Sequence, residues 1–174
     1  MNKLIMMPLL CSSFLFLLAC GSNKTNSGTP KQDAAQTSAQ NNIAQSYRVE
    51  TIAQFNEPWA ITSLPDQHLL ITERKGQLKL FDPKTKSIVN VSAVPAVSYG
   101  GQGGLGDVIL HPDFQNNHWL YLSYASKGQD GYGAEISRAK LDLSNPAQPK
   151  LTDLKTIWQQ VPKVSGQGHY GHRM

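Results

Sequence analysis

The chain has 174 residues, 40% of them hydrophobic, 8% aromatic and 16% charged, which is enough apolar content for one folded domain and too much for a wholly disordered chain. Fourteen glycines and ten prolines interrupt it too often for a coiled coil or a polytopic membrane protein and suit short strands joined by turns. The formal net charge of +4 falls to +2 over residues 47–174, where 13 Lys/Arg face 11 Asp/Glu. No basic run interleaved with aromatics occurs there, so no nucleic-acid partner is expected.

Lys3 precedes an apolar run of 16 residues, Leu4 to Ala19, shorter than a spanning helix needs and typical of an export signal. The run ends Leu17-Leu18-Ala19-Cys20-Gly21, which resembles the bacterial lipobox, where cleavage falls before a cysteine whose thiol carries diacylglycerol. Residues 1–19 are therefore expected to be a lipoprotein signal peptide and Cys20 the lipidated mature N-terminus; an ordinary signal peptide with an incidental cysteine is the alternative. Gly21, not being Asp, implies by resemblance to known sorting signals a lipid anchor in the outer membrane of a bacterial envelope, facing the periplasm. With Cys11 removed and Cys20 lipidated, no disulfide or thiolate metal site remains. Residues 21–46 are Ser, Thr, Asn, Gln, Gly and Ala with few charges, so 20–46 reads as a disordered polar tether with a reach of roughly 25–30 Å.

From Tyr47 the pattern changes to short alternating apolar runs. Strands are expected at Tyr47–Phe55, Trp59–Leu64, His68–Glu73, Gln77–Phe81 and Ile88–Ser92, separated by Glu57-Pro58, Pro65-Asp66, Lys75-Gly76 and Asp82-Pro83. The same grammar recurs in Gly106–Leu110, a Pro112-Asp113 turn, Trp119–Tyr124, a Gly-rich loop, Ala134–Leu141 and Leu154–Gln160. The two Pro-Asp turns lie 47 residues apart, and Val94-Pro95 and Val161-Pro162 close the two units. A period of 40 to 50 residues with four strands marks a β-propeller blade. The expectation is an all-β fold of about two blades, with a β-sandwich as the alternative. Trp59, Trp119 and Trp158 read as packing residues within or between blades.

Three stretches resemble one family. Pro58-Trp59-Ala60, Leu64-Pro65-Asp66, Leu70-Ile71-Thr72-Glu73-Arg74 and Gly76-Gln77-Leu78 are similar to the first blade of the bacterial soluble aldose sugar dehydrogenases that use pyrroloquinoline quinone (PQQ), the glucose/sorbosone dehydrogenase family. Gly101-Gln102-Gly103-Gly104-Leu105, His111-Pro112-Asp113-Phe114 and Leu120-Tyr121-Leu122-Ser123-Tyr124 resemble its second blade, and Gly168 to Met174 its catalytic His-aromatic-Gly-small-Arg-aliphatic segment. The resemblance covers residues 47–174 and implies the first third of a six-bladed propeller. On that basis the chain alone is expected to be inactive.

The resemblance implies oxidation of an aldose at C1 to a lactone, with PQQ and calcium as cofactors whose ligands lie in later blades. Such a reaction needs a base for the C1 hydroxyl proton while hydride passes to the quinone, and histidine titrates in a suitable range. The resemblance assigns that role to His169 and contact with the sugar to Gln102, set among glycines that let the backbone turn and approach a ligand. Read alone, His169 is equally an exposed loop histidine and Gln102 a turn residue; His111 reads as a turn cap, and Arg173 as either a cofactor-facing cation or the partner of an internal carboxylate. The chain departs from the family pattern at Gly168, where Asp or Asn is common, at Gly106, where a second Leu is usual, and at His172, where Gly or Ser is preferred. The competing reading is a non-catalytic propeller lipoprotein that binds carbohydrate or a protein partner. No residue names the electron acceptor.

Overall fold

The computed structural model describes residues 47–174. The expected signal peptide, Cys20 and the tether lie outside the described residues. Eight strands follow one another: β1 (Pro58–Ser63), β2 (Leu69–Glu73), β3 (Gln77–Asp82), β4 (Ser87–Val91), β5 (Leu105–Leu110), β6 (Trp119–Lys127), β7 (Tyr132–Asp142) and β8 (Lys150–Gln159). They form two four-stranded antiparallel meanders in the orders β1-β2-β3-β4 and β5-β6-β7-β8. These are the two expected blades.

Turn chemistry explains where the first strand of each blade ends and the second begins. Leu64 donates its N–H to the His68 carbonyl at 2.8 Å across Pro65-Asp66, and His111 donates to the Trp119 carbonyl at 2.9 Å across Pro112-Asp113. In both turns proline supplies a fixed φ and forgoes a donor the turn does not need. The second copy is longer by one helical turn, α1 (Phe114–Asn117), which ends at His118 in the left-handed conformation. Nδ1 of His111 accepts the Asp113 N–H at 3.0 Å, so His111 caps the turn as its place before Pro-Asp suggested.

The alternating apolar residues of both blades meet in one cluster. Leu70, Leu78, Leu120 and Leu122 are wholly enclosed, and they join Leu64, Leu80, Val91, Leu105, Val108, Phe114, Tyr124 and Leu141 in a continuous core. Each such leucine contributes roughly 1.5–3 kcal/mol on burial. The blades meet where β5 lies against β1 and β2. Two consecutive four-stranded meanders, each complete in itself, follow the repeat expected of propeller blades.

Two expectations need correction. Residues 47–55 enter no sheet, and Val49 (82% exposed) and Ile52 stand in solvent. Their alternation fits a strand, but no edge among the described strands pairs with them; Phe55 docks edge-on to Phe81 at 5.9 Å, and Glu50 lies 3.8 Å from Nζ of Lys86. Nor do the tryptophans lie in the core: Trp59 and Trp158 are exposed, and Trp119 lies under the Arg138 guanidinium at 4.0 Å. Trp59 does serve between segments, against His172.

Candidate active site

Gln102 sits at the tip of a tight turn closed by the Gly103 N–H donating to the Gly100 carbonyl at 2.8 Å. Arg74, at the end of β2, holds that turn from below: Nη2 donates to the carbonyls of Gly101 (2.6 Å) and Gly103 (3.2 Å). Its guanidinium also lies 5.3 Å from the centre of the Tyr99 ring. The Arg74 carbonyl accepts the Leu105 N–H at 3.0 Å, so one residue of the first blade grips both ends of the Gln102 loop. The Gln102 side chain is exposed and makes no hydrogen bond among the described residues.

The segment after β8 returns across this loop. A Cβ on Gly101 would overlap the Gln167 carbonyl, and one on Gly103 would lie 2.9 Å from the Tyr170 ring. Gly101 also has φ +54°, so glycine is needed there for conformation as well as for approach. Gln167 and Tyr170 thus rest on the residues either side of Gln102 and bracket His169. The structure brings together the two segments that carry the predicted sugar-binding and base residues.

His169 is exposed, and its ring makes no hydrogen bond among the described residues. The approach to it is fixed from behind. Nζ of Lys163 pairs with the Glu135 carboxylate at 2.7 Å and with the Ser126 hydroxyl, while Val164 and Tyr132 exchange both backbone hydrogen bonds at 2.8 and 2.9 Å. Burial would raise the Glu135 carboxyl, but hydrogen bonds from Lys163, Ser126 and Tyr124 outweigh it and hold the group below its ordinary range. The Glu135 carboxylate is therefore charged at neutral pH. Sequence reading missed this anchor because its members are 28 residues apart with no motif joining them.

The remaining residues of the segment divide sharply. Arg173 is exposed and forms no ion pair among the described residues, so the carboxylate-pairing alternative is not realised. His172 is 6% exposed and does not face solvent. Its carbonyl accepts the Ser123 hydroxyl at 2.6 Å, and Met174 donates its N–H to Oδ2 of Asp107 at 3.0 Å. A cavity of about 320 Å³ lies beside them, walled by Trp158, Ile136, Tyr170 and Met174.

Residues 55–174 match the glucose/sorbosone dehydrogenase family model. The chain belongs to that family. It is 40% identical over 125 residues to aldose sugar dehydrogenase YliI of Escherichia coli (strain K12), a match covering 70% of this chain and 32% of the relative. It is 29% identical over 118 residues to quinoprotein glucose dehydrogenase B of Acinetobacter calcoaceticus, covering 66% and 24%. Among solved structures it is similar to the soluble aldose sugar dehydrogenase of Escherichia coli in its apo-form, with a TM-score of 0.62 over 68% of this chain and 34% of that one at 40% identity. The PQQ-bound form of aldose sugar dehydrogenase from Streptomyces coelicolor aligns with a TM-score of 0.56 at 29% identity, over 66% and 34%. The chain spans between about a quarter and a third of the length of these relatives. That supports the family reading drawn from the glycine loop and the His169 segment, and the propeller fold with it.

The residues present suit the two cofactors that the sequence resemblance implies unequally. His169, Gln102 and the unpaired Arg173 are uncommitted polar groups on one segment and the loop it crosses, a donor set that fits one wall of a site for an anionic quinone. Among the described residues no three His, Cys, Asp or Glu side chains converge, so they do not fit calcium.

Proposed function

We propose that this chain supplies the base and one sugar contact of a PQQ-dependent aldose dehydrogenase that oxidises the sugar at C1 to a lactone. The observation that carries the reading is the packing of Gln167 and Tyr170 onto Gly101 and Gly103, which sets His169 and Gln102 on adjoining backbone with neither side chain committed elsewhere. His169 takes the C1 hydroxyl proton on a free imidazole nitrogen. Gln102 offers both an amide donor and a carbonyl acceptor to sugar hydroxyls, and so orients C1. Arg173, exposed and without an ion pair among the described residues, would offer positive charge to the carboxylates of a bound quinone. When bound, the quinone supplies the two-electron acceptor.

The test is a chimaera in which residues 47–174 replace the aligned third of the Escherichia coli aldose sugar dehydrogenase, assayed with PQQ, calcium and a panel of aldoses by dye reduction. Turnover is expected from the chimaera and none from the 174-residue chain. A folded chimaera that reduces no dye with any aldose favours instead the non-catalytic lipoprotein that binds carbohydrate or a protein.

We further infer that the protein is a lipoprotein of the bacterial envelope, anchored through Cys20 in the outer membrane and facing the periplasm. Leu17 to Gly21 and the polar tether support this, and the several acyl chains of a bacterial lipoprotein make a stable anchor where one chain would not. Mass spectrometry of the mature N-terminus is expected to find acylated Cys20. An unmodified start at another residue ends the inference.

A further inference from the structure

Positions 59, 106 and 172 hold equivalent places in the first blade, the second blade and the segment that follows β8. In the first blade the Thr72 hydroxyl accepts the Ala60 N–H at 3.0 Å and donates to the Gly106 carbonyl at 2.6 Å. In the second, the Ser123 hydroxyl accepts the Asp107 N–H at 2.9 Å and donates to the His172 carbonyl at 2.6 Å. Thr72 and Ser123 hold the same post, each stitching the next stretch of chain to its blade, at residues 106 and 172. Trp59 precedes Ala60 as Gly106 precedes Asp107. The three equivalent residues meet at one level: the His172 ring is edge-on to Trp59 at 5.6 Å, and a Cβ on Gly106 would overlap it. Gly106 leaves a hole, and the imidazole fills it.

This is a poor place for a charge. His172 is 6% exposed, and neither ring nitrogen has a hydrogen-bond partner among the described residues. Tyr170, its centroid 5.6 Å away, has a buried hydroxyl that also lacks a partner among the described residues. A neutral imidazole can serve there as an aromatic filler. An imidazolium would carry two N–H donors and a charge into a niche that satisfies none of them.

We propose that His172 is a proton-sensitive anchor for the segment bearing His169: neutral, it locks residues 170–174 onto β1, β5 and β6, and protonated, it leaves the niche and frees them. Its effect on turnover rests on His169 being the base; the anchor itself does not. The groups around it do not rescue the charge. On β5, the Asp107 oxygens are engaged by the Val108 and Met174 N–H groups. On β7, Glu135 lines the same cavity but is held by Lys163 and Ser126. β6 offers Ser123, whose hydroxyl is used, and β1 offers Trp59, which has no charge. Arg74 at the end of β2, together with His169 and Arg173 on the segment itself, adds like charge. Burial, then the neighbouring His169, pushes the imidazole below the ordinary histidine value; Asp107 opposes this and Arg74 adds to it. The native state thus binds fewer protons than the unfolded chain just below about pH 6.5. The anchor's stability is complete above that pH and drains as pH falls through the lowered native value.

The test follows the five histidines of the intact 174-residue chain by Cε1–H NMR, with tryptophan emission in parallel. One signal, assigned by its loss in His172→Phe, is expected to keep its neutral-form shift where free histidine is half protonated, at about pH 6.5. It should then change in the same step as the Trp59 emission, assigned with Trp59→Phe. Should His172→Phe not fold, the exchange pair Gly106→Leu/His172→Gly refills the niche without an imidazole and should abolish the acid step in Trp59 emission. A His172 signal that titrates as free histidine, or without a change at Trp59, overturns the anchor, as does an acid step that survives the exchange pair. In the active chimaera, the ratio of acid to neutral turnover is expected to fall with the same step and to flatten in the exchange pair. A chimaera without turnover counts against the enzyme reading alone, because the NMR step decides the anchor.

Discussion

Replacing His169 by alanine lowers the chimaera's kcat by at least about a hundredfold, since a positioned general base contributes 10²–10⁴-fold, and leaves its stability unchanged within about 0.5 kcal/mol. The two halves of this expectation have separate structural causes. The ring is exposed and makes no hydrogen bond among the described residues, so its removal opens no cavity and strands no partner. The base acts when the C1 proton is in flight, so the loss falls on kcat, whereas Gln102→Ala, removing a contact made before and during reaction, would raise KM. Steady-state dye reduction, chemical denaturation and rescue by added imidazole check this together. Unimpaired turnover in His169→Ala would remove the base assignment while leaving the family standing.

Much of this fold was legible because blades are built from local rules. Proline before aspartate marks the corner of each repeat, alternation marks the strands, and every strand expected from Trp59 onward has its counterpart among β1 to β8. Alternation failed at Tyr47–Phe55, where a strand needs a partner edge that local pattern does not reveal. The candidate site was legible where its residues are contiguous, as in the glycine loop and in Gly168 to Met174. It was illegible where chemistry crosses the fold. Thr72 and Ser123 look like ordinary strand residues, yet their hydroxyls tie each blade to the next segment. The departures from the family pattern at Gly106 and His172 were visible separately, 66 positions apart. Only the packing reveals that an absent side chain at one makes room for a ring at the other.

The largest stability loss is expected from Gly104→Ala, which tests whether the grip of the first blade on the Gln102 loop is real. Gly104 has φ +131°, and an added Cβ would overlap the Arg74 carbonyl oxygen. That obstruction is backbone and cannot swing aside. The same oxygen accepts the Leu105 N–H at 3.0 Å, and the Gly104 carbonyl accepts the Ala125 N–H at 2.9 Å. Relieving the clash therefore breaks a bond between blades or one that ties the loop to β6. Backbone strain of about 1–3 kcal/mol and one stranded buried backbone group at about 1–3 kcal/mol together give a loss on the order of 2–6 kcal/mol. Gly168→Ala is the matched control, because nothing lies within 4 Å of its added Cβ, and it should change stability by less than about 0.5 kcal/mol. Denaturant midpoints of the chimaera carrying each change provide the measurement. Displacing the Gly101 and Gly103 carbonyls from Arg74 also moves Gln102, so Gly104→Ala should raise KM for the sugar under conditions where the protein is still folded. Equal midpoints for the two variants would mean that the Arg74 carbonyl does not stand where it blocks a side chain, and the account of how Gln102 is positioned would fall with it.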